Sequence, residues 1–276
     1  MEEIKKNKAK FKRLLVISLI LLPIPIILSF ITFGFMIIMY LIGWVIALAI
    51  FYYVKISVPF KNNVIPDVLK KHKSTIEFIP VLKEYDNYKE IIKSYKLIPS
   101  ATTFRFTDGI VDEVKGYKTT SFDLHATHTQ STGKSTTTIT DFKGRFYDIE
   151  FMNLPCDFII KEEYFKNKPK NYEFLEFEHI DFNKAFNIYV NDTHEAFKVF
   201  TPSTIKKYYE LAGVDNFKTI INYCNNHLYV FLYHSANLFE NSNDDYEKVI
   251  IDDYLRQYND IVPYIETFKL DAIHYD

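Results

Sequence analysis

Residues 14–54 read LLVISLILLPIPIILSFITFGFMIIMYLIGWVIALAIFYYV, a run of 41 positions without a charged side chain. A membrane-spanning helix needs about 20 apolar residues, and one helix of this whole length would extend about 62 Å, twice the hydrocarbon thickness. The run therefore predicts a two-helix transmembrane hairpin, Leu14–Ile31 and Phe35–Val54, turning at Gly34, with Pro23 and Pro25 loosening the first helix. Phe51, Tyr52 and Tyr53 stand near the end of the second, where aromatic anchors collect. It is too long for a cleaved signal peptide. It holds no ionisable side chain to mark a transport path, so it reads as an anchor. A purely soluble protein is excluded.

Both flanks are basic. Lys5, Lys6, Lys8, Lys10, Lys12 and Arg13 precede the run, and Lys55 and Lys61 follow it. Basic flanks stay cytoplasmic, which predicts a multi-pass protein of the cell membrane with both termini in the cytoplasm and the bilayer as partner through residues 14–54. The expected domains are a basic N-terminus (1–13), the hairpin (14–54), a juxtamembrane helical segment (55–100) and a cytosolic domain (101–276) with an acidic C-terminal helix.

Outside the run the chain is ordinary globular material. The 276 residues are 17% aromatic and carry a net charge of −2, which excludes general disorder. Residues 1–13 are net positive and residues 237–276 net negative, as suits a domain standing off an anionic inner leaflet. No basic patch suggests nucleic acid. Two cysteines, Cys156 and Cys224, are too few for a disulfide framework.

Periodicity predicts helices around Val64–Leu69 and Tyr85–Tyr95, then a strand-rich region from Phe104 to Lys161. Within it Phe122–Ala126 alternates, the chain returns through Thr137, Ile139 and Phe142 and again through Phe146–Phe151, and Phe158–Ile160 is a further strand. Phe174–Phe177 and Phe186–Val190 read as short strands. Asp192 with Glu195 three residues on gives a capping box. Thr201-Pro202 opens a helix ending near Ala212 at Gly213. Phe217–Tyr223 and Leu228–His234 form a hairpin through Cys224-Asn225-Asn226-His227. The last helix covers Asp245–Gln257, with Pro263 interrupting or ending it. Strands and helices cluster without strict alternation, so the class is α+β: the hairpin, then a mixed, largely antiparallel β domain with flanking helices.

Three groups invite a chemical reading. Gly133-Lys134-Ser135-Thr136 ends like a phosphate loop, but His128 stands where the first glycine is needed and a Thr-rich strand follows, so a hairpin tip is expected. Asp123 and His125 share a strand face while His128 points away, too few ligands for a metal. His179, Asp181, Asp192, His194 and Glu195 are the densest titratable group, and a hydrolase or transferase could draw an acid/base pair from the span His179–Glu195. Capping and solvation explain the same residues, so no catalytic, cofactor or metal ligand is assigned.

The stretch FNKAFNIYVNDTHEAFKVFTP, Phe182 to Pro202, resembles the signature of a bacterial membrane-protein family, domain of unknown function 3137. The matching residues are Phe182, Phe186, Tyr189, Asp192, Glu195, Ala196, Thr201 and Pro202, with Phe200 where leucine is usual. Phe142-Lys-Gly144-Arg-Phe146 with Glu150-Phe151, and Asn226–Val230, resemble its flanking segments. The resemblance spans about Leu14 to Tyr233 and leaves the acidic tail outside. It implies two N-terminal transmembrane helices, a cytosolic domain and no known reaction. The expected role is a non-enzymatic protein- or ligand-binding module at the inner membrane face, with a peripheral lipid-binding domain as an alternative.

Overall fold

A computed structural model describes residues 2–21, 34–133, 135–150, 154–162, 168–215, 219–233, 238–239 and 245–268. Nine strands form one sheet in the order β1-β2-β3-β4-β9-β8-β5-β7-β6. They are β1 (Glu77–Val81), β2 (Thr103–Val114), β3 (Tyr117–Ser131), β4 (Thr136–Glu150), β5 (Phe158–Glu162), β6 (Glu173–Leu175), β7 (Phe186–Val190), β8 (Thr219–Cys224) and β9 (His227–Tyr233). Every pairing is antiparallel, so the domain is α+β as its pattern implies.

Alternation sorts the side chains onto two faces. On β4, Phe142 and Phe146 join one apolar cluster with Ile159, Ile220 and Phe231. Tyr147 and Ile149 join the opposite cluster with Phe158, Ile160, Ile221 and Val230. The sheet is thus buried on both sides.

The eight helices among the described residues are α1 (Glu2–Leu21), α2 (Gly34–Tyr52), α3 (Ile65–His72), α4 (Asp86–Ser94), α5 (Ile180–Ala185), α6 (Thr193–Val199), α7 (Pro202–Asp215) and α8 (Tyr246–Phe268). α4 covers the first face through Ile92. α6, α7 and the end of α8 cover the second. A third cluster joins α3 (Ile65, Val68, Leu69) and the start of α8 (Ile250, Tyr254) to Phe78 and Ile110 at the β1–β2 end.

The membrane segment departs from expectation. Among the described residues one helix is long and apolar enough to cross a bilayer, Met39–His72, where two spans were expected. It joins α2 to α3 without a break. The expected boundary near Val54 is absent because the chain stays helical through two π turns, Tyr53–Ser57 and Phe60–Val64, on either side of Pro59. Proline has no N–H for the carbonyl four residues back and its ring crowds that turn. The ladder widens instead, with Val58 N–H donating to the Tyr53 carbonyl and Ile65 N–H to that of Phe60. At about 1.5 Å per residue, 34 residues reach about 51 Å, well beyond a hydrocarbon core of about 30 Å. The excess forms the juxtamembrane helix, with Ile56, Phe60, Val64 and Ile65 buried.

Of the first expected span only the beginning lies within the described residues. α1 already starts at Glu2 and carries the basic residues, and its apolar part within the described residues runs from Leu14 to Leu21. The rest of Leu14–Ile31, including Pro23 and Pro25, lies outside the described residues.

Smaller differences have local causes. β1 falls where no strand was expected; it is short and contains Pro80, tolerable on an edge strand. Thr137–Phe142 and Phe146–Glu150 belong to one strand, β4. α5 arises between expected strands, capped by His179, whose Nδ1 accepts from Phe182 N–H at 3.1 Å. α7 continues past Gly213 to Asp215. α8 passes through Pro263 to Phe268, because Ile261, Tyr264, Ile265 and Phe268 are all buried and their packing outweighs one lost ladder bond. The β8–β9 turn at Asn225 and Asn226, with φ of 52° and 63°, is the tight hairpin that the Asn-Asn pair suggests. Phe217 and His234, at its expected ends, and Phe151 lie outside the described residues.

Candidate functional site

The second sheet face carries a buried polar seam between its two apolar clusters. Arg145 on β4 is 1% exposed. Its Nη1 donates to the Asp108 carbonyl at 2.8 Å and to Asp123 Oδ1 at 2.9 Å. Its Nη2 donates to Ser121 Oγ at 2.9 Å. Ser121 Oγ donates onward to Gln257 Oε1 of α8 at 3.3 Å. Asp108 sits at a bulge in β2 where the register with β3 shifts, in the left-handed region at φ 52°. Few non-glycine residues are held there without a local reason.

The juxtamembrane helix plugs into this seam. Lys61 Nζ lies 2.8 Å from both carboxylate oxygens of Asp108. Just past α3, Lys73 Nζ lies 2.6 Å from Asp112 Oδ1. Tyr254 of α8 donates to the other Asp112 oxygen at 2.8 Å. Burial pushes the Asp108 carboxyl above its ordinary range, and Lys61 pulls it part of the way back. A cavity of about 20 Å³, room for one water, lies among Asp112, Thr119, Ser121 and Gln257. Among the described residues, the buried Arg145 Nε and Gln257 Nε2 have no hydrogen-bond partner.

On the opposite face, Asp148 of β4 accepts from Tyr88 Oη of α4 at 3.0 Å and lies 2.6 Å from His227 Nδ1 of β9. That hydrogen bond raises the His227 pKa, against the opposing effect of partial burial. An imidazolium favoured by folding stabilises the fold fully below the unfolded value of about 6.5, and the gain is lost as pH rises through the raised folded value. The urea midpoint is therefore expected to fall over that window, and His227→Gln to flatten the fall. A wild-type midpoint constant across the window removes His227 from this role.

The residues singled out from sequence serve the core and the helix caps and do not converge on one site. Phe182, Phe186 and Tyr189 are buried, and Phe182 and Phe186 pack on Tyr208. Asp192 caps α6, accepting from His194 N–H and Glu195 N–H at 2.9 and 3.0 Å. Glu195 faces Lys198 at 2.7 Å. Ala196 is fully buried. Thr201 caps α7 through Thr204 N–H at 3.2 Å, and Pro202 opens that helix. His179 caps α5 and packs its ring against Tyr209 at a tilt of 48°, while Asp181 faces Lys184. Asp192→Ala should cost about 1 kcal/mol of stability, the usual worth of a cap, and Glu195→Gln almost nothing. Denaturant titration of both variants checks this, and the reverse ranking would refute the capping role.

Asp123 pairs with Arg145, His125 contacts Thr140 at 3.1 Å, and His128 contacts Asp141 at 2.8 Å. Among the described residues no group of three or more His, Cys, Asp or Glu is placed to hold a metal. Gly133 lies at the β3–β4 tip, where Thr132 N–H donates to the Ser135 carbonyl at 3.0 Å; Lys134 is outside the described residues. Cys156 and Cys224 are buried free thiols, and burial pushes Cys156 up to about 12, far from a reactive thiolate.

Comparison with known proteins follows from this geometry. A search of curated proteins finds no match. Among solved structures, the chain is similar to the mycobacterial trehalose monomycolate transport factor A, TtfA, at 8% identity and a TM-score of 0.44 over 75% of this chain and 97% of that one; nothing about function follows at that level. The family model described as protein of unknown function (DUF3137) matches residues 128–270. The match starts within β3, short of the N-terminal helices that the resemblance included, and takes in the acidic last helix that it left out. Over half its length, then, from the β3–β4 hairpin to the end of α8, the chain belongs to the DUF3137 family.

Proposed function

We propose that this chain is a membrane-tethered binding module, held at the cytosolic face of the cell membrane by its N-terminal helices and without a reaction of its own. The single observation that carries this reading is the unbroken helix Met39–His72, which leads from an apolar segment into the buried seam through Lys61 and Asp108. An apolar segment needs lipid around it, and a helix pinned into the domain core makes the tether stiff.

The paired helices support a two-span hairpin with both termini cytoplasmic. α1 lies antiparallel to the long helix, with Asn7 donating to the Lys55 carbonyl at 3.4 Å and Phe11 stacked 6.3 Å from Phe51. The less exposed residues of α1 include Ile4, Asn7, Phe11, Leu14 and Ser18, the three-four spacing of a helix–helix seam. Outside that seam Val16, Leu19 and Ile20 are exposed.

The test uses the full chain with a tag at each end, in inverted membrane vesicles. Retention in the membrane after alkaline washing, with both tags digested by added protease, is the expected result. Release by the wash overturns the tether, and protection of one tag overturns the hairpin.

A further inference from the structure

We propose that Lys8, Lys10, Lys12 and Arg13 of α1 form a collar that binds the phosphodiester headgroups of anionic phospholipids. The inference rests on the tether proposed above and deepens it by naming the lipid class.

The register of the two helices fixes the height of these side chains. Asn7 is level with Lys55, and Phe11 is level with Phe51 and Tyr52, whose rings lie 6.3 and 5.3 Å away. The four cations therefore stand level with the last apolar turns of the long helix, around Phe51, Tyr52 and Tyr53, on the membrane side of its first lysine. Aromatic rings of that kind mark the membrane–water interface. From residue 8 to residue 13 a helix rises about 7.5 Å, close to the thickness of about 5–7 Å left for each headgroup layer once the hydrocarbon core is subtracted from the bilayer.

The cations also point the right way. Lys10, Lys12 and Arg13 are exposed and Lys8 partly so, and they flank the Asn7–Phe11 contact on α1. Among the described residues none of the four has an acidic partner, whereas Lys61 and Lys73 are committed to Asp108 and Asp112. Each Lys or Arg beside an anionic leaflet adds to its attraction for that surface.

The test is native mass spectrometry of the full chain released from bilayers of mixed phosphatidylglycerol and phosphatidylcholine. The wild type is expected to retain phosphatidylglycerol on the order of tenfold over phosphatidylcholine. The K8Q/K10Q/K12Q/R13Q variant should fall to near parity, while K70Q/K71Q, further along the long helix, keeps the preference. No preference in the wild type, or an undiminished one in the quadruple variant, overturns the collar. Displacement by free inorganic phosphate overturns it too, since that marks a small-anion site. The alkaline wash, run in parallel on both proteins, separates the two readings: a wild type that resists extraction yet shows no lipid preference loses the collar and keeps the tether.

Discussion

Gly144→Ala is expected to leave little folded protein. A Cβ added to Gly144 would stand 2.0 Å from the carbonyl oxygen of Leu232 and 2.9 Å from Tyr233 Cα. Both are backbone atoms of the facing strand, so no side-chain rotation relieves the contact. Only separation of β4 from β9 does, and that pair joins the two halves of the sheet. Overpacking in a core costs about 1–3 kcal/mol where side chains can shift. Here the backbone must move, and the loss should take a large part of a total stability of typically about 5–15 kcal/mol. Gly43→Ala is the control, since its Cβ would meet nothing within 4 Å. Soluble yield and urea midpoints in detergent decide; a change in the Gly144 variant below about 1 kcal/mol would show that the strands can part at little cost.

Arg145→Met should be almost as damaging, for an electrostatic reason. The guanidinium donates to Asp123, the Asp108 carbonyl and Ser121 in a site 1% exposed. Removing it strands a carboxylate and a carbonyl, and breaking a buried pair from one side costs about 3–5 kcal/mol. The Asp123→Asn change on its own should cost less, because Asp123 is partly open to solvent. The double variant should then be more stable than the two single losses imply. Additive losses in this cycle would mean that Arg145 acts through packing alone.

Both residues show what could and could not be read from the chain. The α+β class was readable from short strand signals such as the alternating Phe122–Ala126, whereas the full 15-residue length of β3 and β4 was not; the Asn225-Asn226 turn and the Asp192 and Thr201 caps are local signals. The seam was not, because its partners are far apart in sequence: 37 residues from Asp108 to Arg145 and 136 from Ser121 to Gln257. A trace did exist in Arg145, one of only four arginines, sitting on the core side of an apolar strand. The continuous helix was hidden because Lys55, Pro59 and Lys61 look like an ending. The missing N–H of Pro59 is instead absorbed by the π turns and the Lys61 charge by Asp108, while the Lys55 side chain stays exposed. Pro263 misled for the same reason, since tertiary burial of its neighbours overrides a local breaker.

The strand order also bears on how the chain is made. β1 to β4 pair with sequence neighbours, so they can form as they leave the ribosome. β4 then waits for β9: Asp148 and His227, which meet across that pair, are 79 residues apart. At about 5–20 residues per second the wait lasts several seconds. Throughout it a strand of 15 residues presents an open edge, a template for the wrong partner. On the tether proposed above, the nascent domain is bound to the membrane throughout the interval in which that edge stands unprotected.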